Sequence, residues 1–231
     1  MSEYTFPLLN ENGLVFTEVE EARILVQTGV SESRFVRSVC GRDSGEEPFY
    51  RDKGGDPTKD EYVMALAWNY GTTLDGVLGA DLLNEYDVVF DSKNKSLTLS
   101  EEFLELEGAD QLPLDIVLGV PVLAVRINAS PFRLFFDTGS PVSFLQEKEL
   151  LESFRVNRSK ELYVQGKPSF HGTSRFVDVT LGRKPITMEF AHVPGLEGEV
   201  MGACEVKGIL GNQILRNKVV LYSARRRLIA F

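Results

Sequence analysis

The chain has 231 residues, of which 43% are hydrophobic, 10% aromatic and 26% charged, a composition that excludes disorder and collagen-like repetition and suits one large domain or two small ones. Its 25 Lys and Arg against 34 Asp and Glu leave a formal charge of -9, so the surface repels phosphate backbones and anionic lipid heads, and neither nucleic acid nor a membrane is an expected partner. Apolar stretches such as Leu114 to Val125 are interrupted well before the roughly 20 residues that a bilayer span needs.

Residues Met1 to Leu14 carry acids and no basic region ahead of an apolar core, so no secretion signal is read there and a cytoplasmic location is expected. Next comes Arg23-Ile24-Leu25-Val26-Gln27-Thr28-Gly29-Val30, followed by Ser33: an apolar strand running into a Gly turn. Gly41 to Asp60, rich in Gly, Asp, Lys and Pro, reads as a polar surface loop. After it, Gly76-Val77-Leu78-Gly79-Ala80-Asp81-Leu82-Leu83 carries a short helical segment at Asp81 to Asn84, and Asp87-Val88-Val89-Phe90 reads as a strand. Glu101, Glu102, Glu105, Glu107 and Asp110 form an acidic tract that reads as a solvated linker, dividing the chain into residues 1–105 and 112–231.

Short apolar or alternating runs dominate the second half, as in Val122 to Ile127, Phe176 to Leu181 and Ile186 to Phe190, with one helical candidate at Glu147 to Phe154. His192-Val193-Pro194 reads as a strand end, Arg225-Arg226-Arg227 as a solvated hairpin turn, and Trp68 as a core residue. Cys40 and Cys204 lie far apart without a CxxC and read as structural thiols. His171 and His192 are the only imidazoles, too few for a multi-histidine metal centre, and no local motif supports a Ser/His/Asp triad.

Two patterns recur in the same order. Arg133-Leu134-Phe135-Phe136-Asp137-Thr138-Gly139-Ser140, followed by Ser143, repeats the segment at Arg23 with Arg, Thr, Gly and Ser in register (133 − 23 = 110). Gly208-Ile209-Leu210-Gly211-Asn212-Gln213-Ile214-Leu215 repeats the segment at Gly76 (208 − 76 = 132), and Val219-Val220-Leu221-Tyr222 follows it as Asp87 to Phe90 follows the first. The interval between the patterns is longer in the second copy, by about one hairpin.

A carboxylate set at the end of a buried strand and followed by Thr-Gly, with Gly-Ile-Leu-Gly further on and the whole arrangement repeated, resembles the aspartic peptidases of the pepsin and retropepsin type. The resemblance spans both halves and implies an all-β, two-lobed fold with few short helices, each lobe giving one Asp-Thr/Ser-Gly loop to a site beneath a substrate cleft. It implies Asp137, Thr138, Gly139 and Ser140 as the catalytic loop, Thr28 and Thr138 as hydroxyls tying the lobes together, and no metal or organic cofactor. Phe170-His171-Gly172-Thr173 is similar to the tip of the flap hairpin that covers the cleft in this family; an ordinary β-turn would show the same residues.

That chemistry needs two carboxylates, one as base and one as acid, because like charges about 3 Å apart share a single proton. The counterpart of Asp137 is Gln27, with Thr28 and Gly29 beside it, and an amide donates a hydrogen bond without ionising. Asp43-Ser44-Gly45 has suitable letters for a second acid but lies in the polar loop rather than after an apolar strand. The expected function is therefore binding of an extended peptide or protein in the interlobe cleft, with catalysis impaired in the monomer. The alternative is an active endopeptidase in which Asp137 pairs with an acid from a second chain, as a homodimer, or from elsewhere in this chain.

Overall fold

A computed structural model describes residues 2–35, 60–164, 169–193 and 199–231. The polar loop at 41–59, Cys40, Asp43-Ser44-Gly45 and Pro194 lie outside the described residues. Ahead of the acidic tract run β1 (Glu3–Glu11), β2 (Leu14–Val19), β3 (Ala22–Val26), β4 (Arg34–Phe35), β5 (Gly76–Leu78), β6 (Asp87–Asp91) and β7 (Ser96–Ser100). After it run β8 (Gln111–Val117), β9 (Val120–Ile127), β10 (Ser130–Asp137), β11 (Ser143–Leu145), β12 (Val156–Leu162), β13 (Phe170–Leu181), β14 (Lys184–His192), β15 (Gly208–Gly211), β16 (Val219–Ser223) and β17 (Leu228–Ala230). The helices are short: α1 (Glu61–Tyr70), α2 (Ala80–Leu83), α3 (Lys148–Glu152), α4 (Glu199–Ala203) and a 3₁₀ turn at Asn212–Leu215. The fold is all-β, as the alternating runs predict.

One antiparallel sheet, ordered β1-β7-β6-β16-β17-β8, draws three strands from each half. At its middle β6 pairs with β16, and Val89 lies opposite Leu221. Those two residues are 132 apart (221 − 89 = 132), the same separation as the Gly76 and Gly208 motifs, so each strand pairs with its own counterpart about a local twofold. Val88, Phe90, Val220 and Tyr222 from these strands sit in a single buried cluster that joins the halves. Smaller clusters flank it, one built on Leu14, Phe16, Leu25 and Leu66, the other on Val122, Phe144 and Met201.

The second motif also repeats in three dimensions. β3 runs parallel to β5 with Leu25 opposite Val77, and β10 runs parallel to β15 with Phe135 opposite Ile209, the counterparts by both offsets. β4 and β11 then pair antiparallel to β5 and β15 in matching register. Serine hydroxyls lock both crossings: Gly79 N–H donates to Ser33 Oγ at 2.8 Å and Gly211 N–H to Ser143 Oγ at 3.0 Å. The recurrence of Ser33 and Ser143 thus has a structural cause, a buried backbone donor that needs a partner.

Three expectations are corrected. Trp68 is 87% exposed on the outer face of α1, because Val63 and Leu66 supply that helix's buried side and position 68 turns away from both. Arg225 and Arg226 are not simply solvated: both guanidiniums close on the carboxylate of Asp87, which is 0% exposed and also accepts from Leu104 N–H and Ser223 Oγ. Arg225 further donates to the carbonyls of Ser100, Glu101 and Glu102, so this turn fastens the acidic tract to the second half. Phe170 to Thr173 do not form a turn but the first part of β13, paired with Leu162 to Ser159 of β12. Gly172 lies mid-strand because a Cβ there would come within 2.7 Å of Leu162 Cδ1, a packing constraint rather than a turn requirement.

Candidate functional site

Gln27 follows β3 and Asp137 ends β10, so the matched crossings bring them to equivalent places on either side of the twofold. Their nearness shows in the glycines. A Cβ on Gly29 would fall 2.3 Å from Asp137 Cγ, and one on Gly139 would fall 2.6 Å from Gln27 Cγ. Each loop's glycine is thus crossed by the other loop's polar side chain, and only a residue without Cβ fits.

The threonines beneath form a closed exchange. Thr28 N–H donates to Thr138 Oγ1 and Thr138 N–H to Thr28 Oγ1, both at 3.0 Å. The hydroxyls then donate across the axis, Thr28 to the Phe136 carbonyl at 2.7 Å and Thr138 to the Val26 carbonyl at 2.6 Å. Both threonines are 0% exposed, and all of these polar groups are matched. The Ser140 hydroxyl donates to the Val142 carbonyl at 2.7 Å and so shapes the loop.

Asp137 is buried and takes hydrogen bonds from the backbone N–H of Gly139, at 2.8 Å, the backbone N–H of Gly29 and the side-chain amide of Gln27. Burial is the larger influence and pushes its carboxyl up to about 6 despite those donors. Gln27 faces Asp137 from the matching loop and donates a hydrogen bond to it.

Helix α1 covers this pair. Asp60 caps its start by accepting from Tyr62 and Val63 N–H, and Gly71, at φ 60, ends it in a left-handed turn. Tyr62 Oη donates to Gln27 Oε1 at 3.4 Å, and Tyr70 Oη donates to the Gly139 carbonyl at 3.3 Å. Burial first, and the Asp137 charge second, push both phenols well above their usual range, so they remain neutral donors. From the second half, Tyr163 meets Tyr70 edge-on at 5.1 Å between ring centroids. This aromatic roof went unread in the sequence, although Asp60, Gly71 and apolar side chains at 62, 63, 66, 67 and 70 carry a helix signature.

Beside the roof a cavity of about 710 Å³ opens between the halves. Gly13 comes from the β1–β2 turn, Trp68 and Tyr70 from α1, and Arg158, Lys160 and Tyr163 from β12 and its end. The opposite face of the β12–β13 hairpin presents His171 and Thr173, together with His192, to a separate hollow of about 310 Å³. Among the sequence-predicted residues, then, 27–29 and 137–140 come together, while 170–173 lie on the hairpin and line the smaller hollow.

No protein-family model and no curated protein matches this chain. Among solved structures it is similar to basic 7S globulin from soybean, with a TM-score of 0.51 and 11% sequence identity over 100% of this chain and 94% of that one. At that identity the likeness carries the fold alone: an all-β, aspartic-peptidase-like architecture. Among the described residues, no helix is long and apolar enough to cross a membrane.

Proposed function

We propose that this chain is an aspartic-peptidase-like protein that holds an extended peptide or protein segment in the groove between its halves and is catalytically impaired as a monomer. The observation that carries the reading is Gln27 across from Asp137, donating to it. Hydrolysis by this architecture needs a base to activate water and an acid to donate a proton to the oxyanion developing on the scissile carbonyl, and a lone carboxyl cannot be both at once. Losing one partner of such a pair costs about 10² to 10⁴ in rate or more. Binding of an extended segment depends instead on strand edges and side-chain pockets, which the substitution leaves alone.

Pairing of Asp137 with an acid from a second chain is the weaker reading. Thr28 and Thr138 already engage each other within the chain, and a covalently attached half outcompetes a free one by effective concentration. The test is a diverse peptide library offered at acid pH. The wild-type chain is expected to retain a subset of peptides and cleave none, whereas Gln27→Asp with Tyr62→Phe, which adds the acid and removes the hydroxyl over it, should gain cleavage. Pepstatin-sensitive cleavage by the wild-type monomer would overturn the proposal.

A further inference from the structure

The cavity beside the tyrosine roof has a chemistry of its own, and assigning it a ligand rests on the groove-binding reading proposed above. Its wall carries Arg158, Lys160 and Arg216 against Glu161 and Glu189, an excess of cations in a chain whose formal charge is -9. Both acids already have partners. Glu189 lies 2.7 Å from Lys160 Nζ and 3.8 Å from Arg158 Nε, and Glu161 accepts from Ser169 Oγ at 2.7 Å. Arg158 keeps its two terminal amino groups, with its side chain 61% exposed, and Arg216 makes no ion pair among the described residues. A guanidinium with a free fork is matched geometrically by a carboxylate.

Against this stands the apolar side of the same wall. Trp68, 87% exposed, is the chain's single tryptophan, and Tyr163 lies with it around the cavity. A large ring left in water at the mouth of a hollow is the residue type that most often anchors a bound partner. We infer that the cavity takes an acidic peptide segment, an aromatic or aliphatic side chain lying on Trp68 and Tyr163 while a neighbouring Asp or Glu carboxylate engages Arg158 and Arg216.

The experiment uses the emission of Trp68, which reports on this wall and nowhere else. The probes are the capped peptides Phe-Glu-Glu-Phe and Phe-Gln-Gln-Phe, titrated into the full chain, with calorimetry as a second readout. The glutamate peptide should shift the emission to shorter wavelength and bind about tenfold or more tightly than its glutamine twin. In Arg158→Ala/Arg216→Ala that preference should shrink towards unity, and added salt should erode it in the wild type. Equal affinity for the two peptides would overturn the acidic preference and leave groove binding standing. A preference for glutamate that survives loss of both arginines, or that leaves Trp68 emission unmoved, would overturn the assignment to this cavity. Absence of any binding by calorimetry, with the circular dichroism of the folded chain intact, would count against the groove-binding reading itself for peptides of this kind and remove the inference with it.

Discussion

Removing the charge of Asp137 should change how stability depends on pH. In the folded chain burial raises its carboxyl from 3.8 to about 6. At about 1.36 kcal/mol per unit, ionising it there costs the fold about 3 kcal/mol. The sign follows from proton binding. Between about pH 4 and pH 6 the folded chain holds a proton that the unfolded chain has released, so the stability owed to this group falls as pH rises through that window. Below it neither state is charged and nothing is lost; above it the loss is complete. Asn at 137 never ionises. It does meet three donors, from Gly29, Gly139 and Gln27, with a single oxygen, so Asp137→Asn carries a fixed penalty of its own at every pH. That penalty cancels when the comparison is made across pH: relative to the wild type, the variant should gain about 2 kcal/mol between pH 4 and pH 7, the unfolded carboxyl being already half ionised at the lower end. Urea denaturation at several pH values, followed by far-ultraviolet circular dichroism, measures this; Trp68, already 87% exposed when folded, is a poor probe of unfolding. A difference between the two proteins that moves by less than about 1 kcal/mol over that range would refute the claim that desolvation governs Asp137.

Two further perturbations probe the scaffold under the pair. Thr28→Val keeps the side chain's shape but leaves the Phe136 carbonyl and Thr138 N–H without partners, and should lower stability by about 2 to 4 kcal/mol in equilibrium denaturation. Because the two threonines form one exchange, adding Thr138→Val should cost less than its separate effect. Asp87→Asn removes the buried carboxylate that Arg225 and Arg226, 26% and 19% exposed, close on, and should lower stability by about 1.5 to 3 kcal/mol in equilibrium denaturation; a lowering under about 0.5 kcal/mol would mean that water already screens the cluster.

The parts of the molecule legible in the sequence are those the duplication writes twice. Offsets of 110 and 132 anticipate which strands correspond, and the pairings of Leu25 with Val77 and Phe135 with Ile209 follow the same offsets. Features present in one copy had no such support. Among the described residues the matching place before β15 carries only the short α4, so the full length of α1 gains no support from repetition, and its cap lies beside a polar loop. Gly172 looked like turn chemistry because a glycine that avoids Leu162 and one that permits a positive φ are the same letter. Arg225 and Arg226 read as solvated because their partner, Asp87, is distant in sequence and opens an apolar strand run.

The roof and the amide explain one another. Two carboxylates at positions 27 and 137 would share one proton and keep a net charge, and sealing that charge under aromatic rings removes the water that stabilises it. With Gln27 the pair tolerates closure: Asp137 receives the amide N–H, Tyr62 satisfies the remaining amide oxygen, and no buried acceptor on that side chain is stranded. Tyr70 completes the cover by donating to the Gly139 carbonyl. The same donors that make closure stable also occupy the polar atoms around Asp137. A bound segment would therefore gain more from the open cavity at Trp68 and Arg158 than from the floor at Asp137. The amide at position 27 and the open cavity towards the end of α1 are therefore one structural feature rather than two.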